Sequence, residues 1–61
     1  MTVHEQILEQ VEIYHAENQK FDEKGNKAAG TRARKALNEV SKLCKSRRKE
    51  IQEAKNQLVK A

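Results

Sequence analysis

Lysine and arginine side chains recur along the second half of this 61-residue chain at spacings that suit a row of phosphates. Helical residues seven positions apart point the same way and lie about 10.5 Å apart along the axis. Cations arranged in such rows neutralise the phosphates of a nucleic acid and release its counterions. The residues that we predict to bind phosphates are Lys27, Arg32, Arg34, Lys35, Lys42, Lys45, Arg48, Lys49 and Lys55.

The charge is divided unevenly between the two halves of the chain. Residues 1–24 hold two lysines against six carboxylates, a balance of −4, whereas residues 25–61 hold eleven basic residues against three carboxylates, a balance of +8. Such asymmetry indicates a basic working surface on the second half. The alternative is that an acidic first helix merely neutralises a basic second one.

The aromatic residues narrow the class of nucleic acid. Tyr14 and Phe21 are the only aromatics, and both fall on the apolar side of the first half of the chain. The basic rows therefore lack a platform on which unpaired bases could stack. We predict binding to double-stranded DNA through its backbone, with little sequence preference. Double-stranded RNA is a weaker alternative, because contacts to rows of phosphates distinguish poorly between duplex DNA and duplex RNA.

Residues for catalysis or metal binding are not gathered by any motif. His4 and His15 are eleven positions apart, too far to chelate one metal, and Cys44 has no second cysteine with which to form a disulfide. No glycine-rich phosphate loop or nucleophile arrangement is present. We therefore predict no enzymatic activity, no cofactor, no metal and no small-molecule ligand.

The composition predicts an all-α chain, since it has no proline and only two glycines. Thr2 and Glu5 form a capping-box pattern at the start of a first helix, expected at about residues 3–24. Gly25 is predicted to end the first helix and Asn26 to cap the start of the next, so the second helix is expected at about 27–59. So short a turn makes the helices antiparallel neighbours within a single domain, residues 1–61.

Apolar residues recur in steps of three and four along both helices, which is a heptad pattern. We predict that they form the core and a dimer interface; the seam residues are Ile7, Val11, Tyr14, Phe21, Leu37, Val40, Cys44, Ile51 and Leu58. The second helix is expected to be longer than the first, so apolar residues near the end of the second helix have no partner in the first. The predicted fold is thus an antiparallel helical hairpin that forms a homodimer, either as a four-helix assembly or as a coiled coil.

Folding the chain at Gly25 also predicts which charges meet. Carboxylates of helix one come level with Lys42 and Lys45, whereas Arg32, Arg34 and Lys35 are expected to remain uncovered. Arg47 lies on the seam, where an unpaired charge would be costly. We therefore expect an acidic partner for it across the dimer. Cys44, also on the seam, is expected to be a small buried thiol.

The stretch KGNKAAGTRARK at residues 24–35 resembles the signature of the bacterial linker-histone-like (histone H1-like) nucleoid proteins of chlamydiae, which have a short form in Bacteroidetes. Phe21, Leu37, Glu39 and the run RKEIQE at 48–53 also resemble the short form, so the similarity covers about residues 18–57. The resemblance implies helical proteins that associate and compact chromosomal DNA. It would place Lys27, Arg32, Arg34 and Lys35 at the DNA.

The chlamydial proteins continue into a long tail rich in lysine, alanine and proline, whereas this chain ends at Ala61. The expected function is therefore that of a small architectural protein that coats, bridges or compacts DNA in the cytoplasm, at the nucleoid or on viral DNA. No apolar run approaches the ~20 residues of a membrane span, so no membrane partner is expected. The alternative is a coiled-coil protein-interaction module that binds no nucleic acid.

Overall fold

A computed structural model describes the backbone of residues 1–60 and the side chains of residues 1–58. It contains two helices, α1 (Val3–Lys24) and α2 (Lys27–Lys60), which pack against each other as an antiparallel hairpin. The hairpin is a rod of 53 × 17 × 14 Å. The described residues form no strand, so the prediction of an all-α hairpin is confirmed. Neither helix has a described segment that is long and apolar enough to cross a membrane.

The start of α1 is stabilised by the capping box that the sequence predicts. The Glu5 backbone N–H donates to Thr2 Oγ1 at 3.1 Å, and the Thr2 N–H donates to Glu5 Oε1 at 3.3 Å. These two bonds satisfy backbone donors that a helix leaves free at its N-terminus. The helix therefore begins at a defined residue.

The turn between the helices uses Gly25 and Asn26 as predicted. Gly25 has φ 62°, a left-handed conformation that glycine adopts without steric cost, and its N–H donates to the Phe21 carbonyl at 2.9 Å. Asn26 Oδ1 then accepts from the Ala29 N–H at 3.2 Å and caps α2. Two residues thus end one helix and begin the next.

Small residues of α2 hold the two helices together. The buried positions among the described side chains are Ala29, Ala33 and Ala36, and the same stripe continues through the half-buried Val40 and Leu43. From α1, the half-buried side chains include Ile7, Gln10, Tyr14 and Glu17. Because alanines occupy the buried positions, the hairpin has few large side chains in its core.

The predicted seam divides into two groups in the hairpin. Ile7, Tyr14 and Val40 are half-buried between the helices, whereas the exposed members are Val11, Phe21, Leu37, Cys44, Ile51 and Leu58. The interpretation of Cys44 as a buried thiol is wrong for the hairpin. The physical reason is the direction in which these side chains leave α2. The first helix packs on the stripe formed by residues 29, 33, 36, 40 and 43. Leu37 and Cys44 each follow a member of that stripe by one residue, which turns them about 100° away from its direction.

Candidate nucleic-acid interface

Most of the predicted phosphate-binding residues point away from α1. Successive residues of a helix are about 100° apart, so these residues are turned away from the centre of the alanine stripe, with Arg34 and Lys35 at the two margins of the group. All of these side chains are exposed. The outward group, hereafter the cationic face, comprises Lys27, Arg34, Lys35, Lys42, Lys45 and Lys49.

The cationic face is long and straight because one uninterrupted helix carries it. Lys27 and Lys49 are 22 positions apart, which corresponds to about 33 Å at 1.5 Å per residue. One turn of B-DNA spans about 34–36 Å. The face can therefore follow a duplex for about one helical turn without a bend in the protein.

Few carboxylates compete for the cationic face. Among the described residues, its one ion pair joins Lys42 Nζ to Glu39 Oε1 at 3.8 Å, a long and exposed contact within α2. We expected that pairing with the first helix could neutralise part of Lys42 and Lys45, but the ion pairs of the described residues join neither lysine to a carboxylate of α1. Their charges remain available to an external anion.

Arg32 is the predicted site residue that α1 does engage. Its Nε lies 2.9 Å from Glu17 Oε2, and the Glu17 side chain is only 14% exposed. The expectation that Arg32 stays uncovered is therefore wrong. It lies at the edge of the alanine stripe, one position before Ala33, and so it reaches across to α1. An arginine held in this way is less available to a phosphate than Arg34, two positions later.

Arg48 and Lys55 are exposed but lie nearer to the row of Leu37 and Cys44 than to the centre of the cationic face. Their neighbour Arg47 is half-buried, and its Nη1 donates to Glu50 Oε1 at 2.9 Å. The acidic partner that we expected for Arg47 across a dimer is thus present one turn away in the same helix.

Tyr14 and Phe21 lie off the cationic face. They line a shallow groove between the helices, together with Asn18 of α1 and Gly30, Thr31, Ala33, Arg34 and Leu37 of α2. Arg34 therefore borders this groove, and the two aromatic rings lie beside the cationic face and not along it. In the described part of the chain, no three His, Cys, Asp or Glu side chains are close enough to hold a metal ion.

One exposed apolar residue near this groove was not included in the predicted seam. Leu8 is 53% exposed and lies three positions before Val11, itself exposed on the same side of α1. The spacing of three was visible in the sequence.

Comparison with known proteins bears on what this surface binds. The family model described as Histone H1-like protein Hc1 matches residues 1–57 of the chain. The matched region includes α1, α2 as far as residue 57 and the whole cationic face. No curated protein and no solved structure matches the chain.

Proposed function

The chain belongs to the family of the histone H1-like protein Hc1, a family of DNA-binding nucleoid proteins, and we propose that it binds double-stranded DNA through the phosphates. The contacts run along the cationic face and carry little sequence specificity. By binding in this way, the protein coats, bridges or compacts the DNA to which it is bound. It is then an architectural component of the nucleoid or of viral DNA and has no catalytic role.

The observation that carries this proposal is the cationic face itself. Six basic side chains are exposed on one side of a straight helix, and α1 with its carboxylates lies on the other side. Phosphate contacts supply most of the affinity of non-specific DNA binding. The aromatic side chains that could stack on bases belong to α1 and are not part of this face, which supports recognition of the backbone.

The protein is further proposed to act as a homodimer. A chain of this size buries only about 60% of its unfolded surface. Here the buried side chains of the described region are alanines, while Leu37 and Ile51 are about half exposed. A second copy is the simplest cover for these residues.

Charge reversal at two positions of the cationic face tests DNA binding. The variant Lys45→Glu/Lys49→Glu is compared with Lys20→Glu/Lys24→Glu, which makes the same change in net charge at the same i, i+4 spacing on α1. Anisotropy of a labelled mixed-sequence duplex is titrated at several salt concentrations. Wild type is expected to bind with a steep negative slope of log K against log salt.

The two variants are expected to differ. Loss of two phosphate contacts lowers the magnitude of the slope by about 1.8, since each contact contributes about 0.9. The α1 variant should retain nearly the wild-type slope, and circular dichroism should show both variants to be helical. Equal losses in the two variants would mean that net charge, and not the cationic face, governs binding. An absence of wild-type binding at low salt would refute the proposal and favour a protein-interaction module.

A further inference from the structure

Phe21 is an aromatic residue that the hairpin holds in place without burying it. Its backbone carbonyl accepts from the Gly25 N–H at 2.9 Å, so it belongs to the last turn of α1. A Cβ on Gly30 would lie 2.7 Å from Cδ1 and 2.9 Å from Cε1 of Phe21, so one edge of the ring lies directly against the α2 backbone. Phe21 is nevertheless 45% exposed. The hairpin therefore presents an aromatic surface to its surroundings at the end of the rod that carries the turn.

Gly30 makes room for this ring at a cost to the helix. Glycine inside a helix is less favourable than alanine, because its backbone loses more freedom on folding. An aromatic ring that only joined the two helices would stabilise them most if it were buried. Here the space beside Gly30 is filled by a ring that stays accessible, which favours a role for Phe21 in contact with a ligand.

Two members of the cationic face lie on either side of the ring. Lys27 and Arg34 are seven positions apart, so they point in the same direction and are separated by about 10.5 Å along α2. Gly30 lies between them, and Arg34 borders the groove that Phe21 lines. Both cations are exposed, and the ion pairs of the described residues include neither of them. A strand whose phosphates follow the cationic face thus passes beside the ring.

The two sides of the groove differ in charge. On the α1 side, Asn18 Nδ2 donates to Asp22 Oδ2 at 3.2 Å, so a carboxylate lies next to the groove and repels phosphate. On the α2 side, the Thr31 hydroxyl donates to the Lys27 carbonyl at 3.3 Å, which leaves its oxygen free to accept from the edge of a base. A nucleotide in this groove therefore has its phosphate at Arg34 and its base towards α1.

We propose that the groove beside Phe21 binds one unpaired nucleobase of the nucleic acid that the cationic face holds. The base stacks on the exposed face of the Phe21 ring, and the phosphates on its two sides lie at Lys27 and Arg34. Stacking of this kind accepts any base, because every base has a π-face. The inference rests on the proposed function, since the backbone must first be bound along α2.

An intact duplex offers no base to this groove, because its bases stack on one another inside the double helix. The groove adds affinity only where a base is unpaired, as in a bulge or a mismatch, and such a base is also the least costly to extrude. The protein therefore binds duplex DNA anywhere through the phosphates and binds most tightly where the duplex is distorted.

The second copy proposed above leaves this end of the hairpin open. That copy covers Leu37 and Ile51, which follow Gly30 by 7 and 21 positions, or by about 10 Å and 30 Å along α2. Leu37 marks the far end of the groove, and Phe21 lies on the side of the turn. A base at Phe21 and a second copy at Ile51 therefore occupy different parts of the rod.

Two duplexes of the same sequence, one intact and one with a single-base bulge, test the site by anisotropy. Wild type is expected to bind the bulged duplex at least about fivefold more tightly, which corresponds to about 1 kcal/mol of base–aromatic stacking. Phe21→Leu keeps an apolar side chain without a π-face, so it should bind both duplexes as wild type binds the intact one. Phe21→Tyr retains the π-face and should keep the preference.

Val11→Ala is the matched control, because Val11 is 45% exposed on the same helix and does not line the groove. It should keep the wild-type preference for the bulged duplex. Circular dichroism should show all of these variants to be helical, which separates loss of the site from loss of the fold.

Phe21→Trp reports the stacking directly, since the chain has no other tryptophan. At saturation, the bulged duplex should quench its emission more strongly than the intact duplex does. Equal quenching would overturn the inference. Emission that changes with protein concentration in the absence of DNA would overturn it as well, because a second copy would then occupy the groove.

The affinities also separate this site from the proposed function. Equal wild-type affinities for the two duplexes, or a preference that persists in Phe21→Leu, would overturn the inference and leave the proposed function intact. If wild type binds neither duplex at low salt, both the proposed function and the inference fail.

Discussion

At the scale of single residues, the difference between Arg32 and Arg34 separates a structural arginine from one that is free to bind DNA. Arg32 lies 2.9 Å from Glu17, whereas Arg34 is exposed and has no carboxylate within 4 Å among the described residues. We expect Arg34→Gln to lower the magnitude of the salt slope by about 0.9. Arg32→Gln should change the slope much less and lower the free energy of unfolding by up to about 1 kcal/mol.

The two arginine variants are matched in net charge, so anisotropy titrations and urea unfolding compare them directly. Equal slopes for the two variants would contradict this assignment. The resemblance to histone H1-like proteins placed both arginines at the DNA, and the sequence alone could not separate them. The separation depends on the rotation of α2 about its own axis, which brings Arg32 to α1 and turns Arg34 away.

Gly30 illustrates a second contact that decides the effect of a mutation. A Cβ added there would lie 2.7 Å from Phe21 Cδ1, so the aromatic ring would have to move. Within a helix, glycine to alanine normally stabilises by about 1 kcal/mol. We expect Gly30→Ala to lose that gain in the wild type and to recover it in a Phe21→Ala background. A double-mutant cycle by thermal or urea unfolding should give a coupling of about 1 kcal/mol; additive effects would show that the ring moves freely.

At the scale of the helices, the cap of α2 determines where the second helix begins. Asn26 Oδ1 accepts from the N–H of Ala29, which is the most deeply buried residue of the core. Asn26→Ala should reduce the free energy of unfolding by about 1 kcal/mol, since it leaves that donor without its cap. Asn26→Asp keeps an acceptor in place and should retain most of the stability. Urea unfolding of the pair measures the difference, and equal losses would indicate that the cap contributes little.

The helix ends could be predicted from the sequence because their causes are local. Thr2 and Glu5 satisfy each other across three residues, and Gly25 and Asn26 complete the turn on their own. The side of α2 that faces α1 could not be predicted equally well. Heptad counting through Leu37 and Cys44 identifies a direction only to within about a quarter of a turn, and the structure shows that alanines occupy the contact. A stripe of small residues is less conspicuous than one of leucines, although it permits closer packing of the helices.

At the scale of the whole molecule, the hairpin has a small core for its length. The buried side chains of the described region are those of Ala29, Ala33 and Ala36, and alanine contributes little hydrophobic free energy on burial. Large side chains such as Leu37 and Phe21 remain about half exposed. The stability of the proposed dimer should therefore come substantially from contacts between the two chains.

Thermal unfolding at different protein concentrations measures this contribution. When folding and association are coupled, mass action raises the Tm with protein concentration. We expect the Tm of wild type and of Ile13→Lys to rise over a hundredfold range of concentration, because both retain Leu37 and Ile51, which the proposed dimer covers. Leu37→Lys should unfold at a lower temperature that does not depend on concentration, since only the hairpin remains. A concentration-independent Tm for wild type would mean that the alanine core alone stabilises the fold, and that Leu37 is exposed in the functional protein.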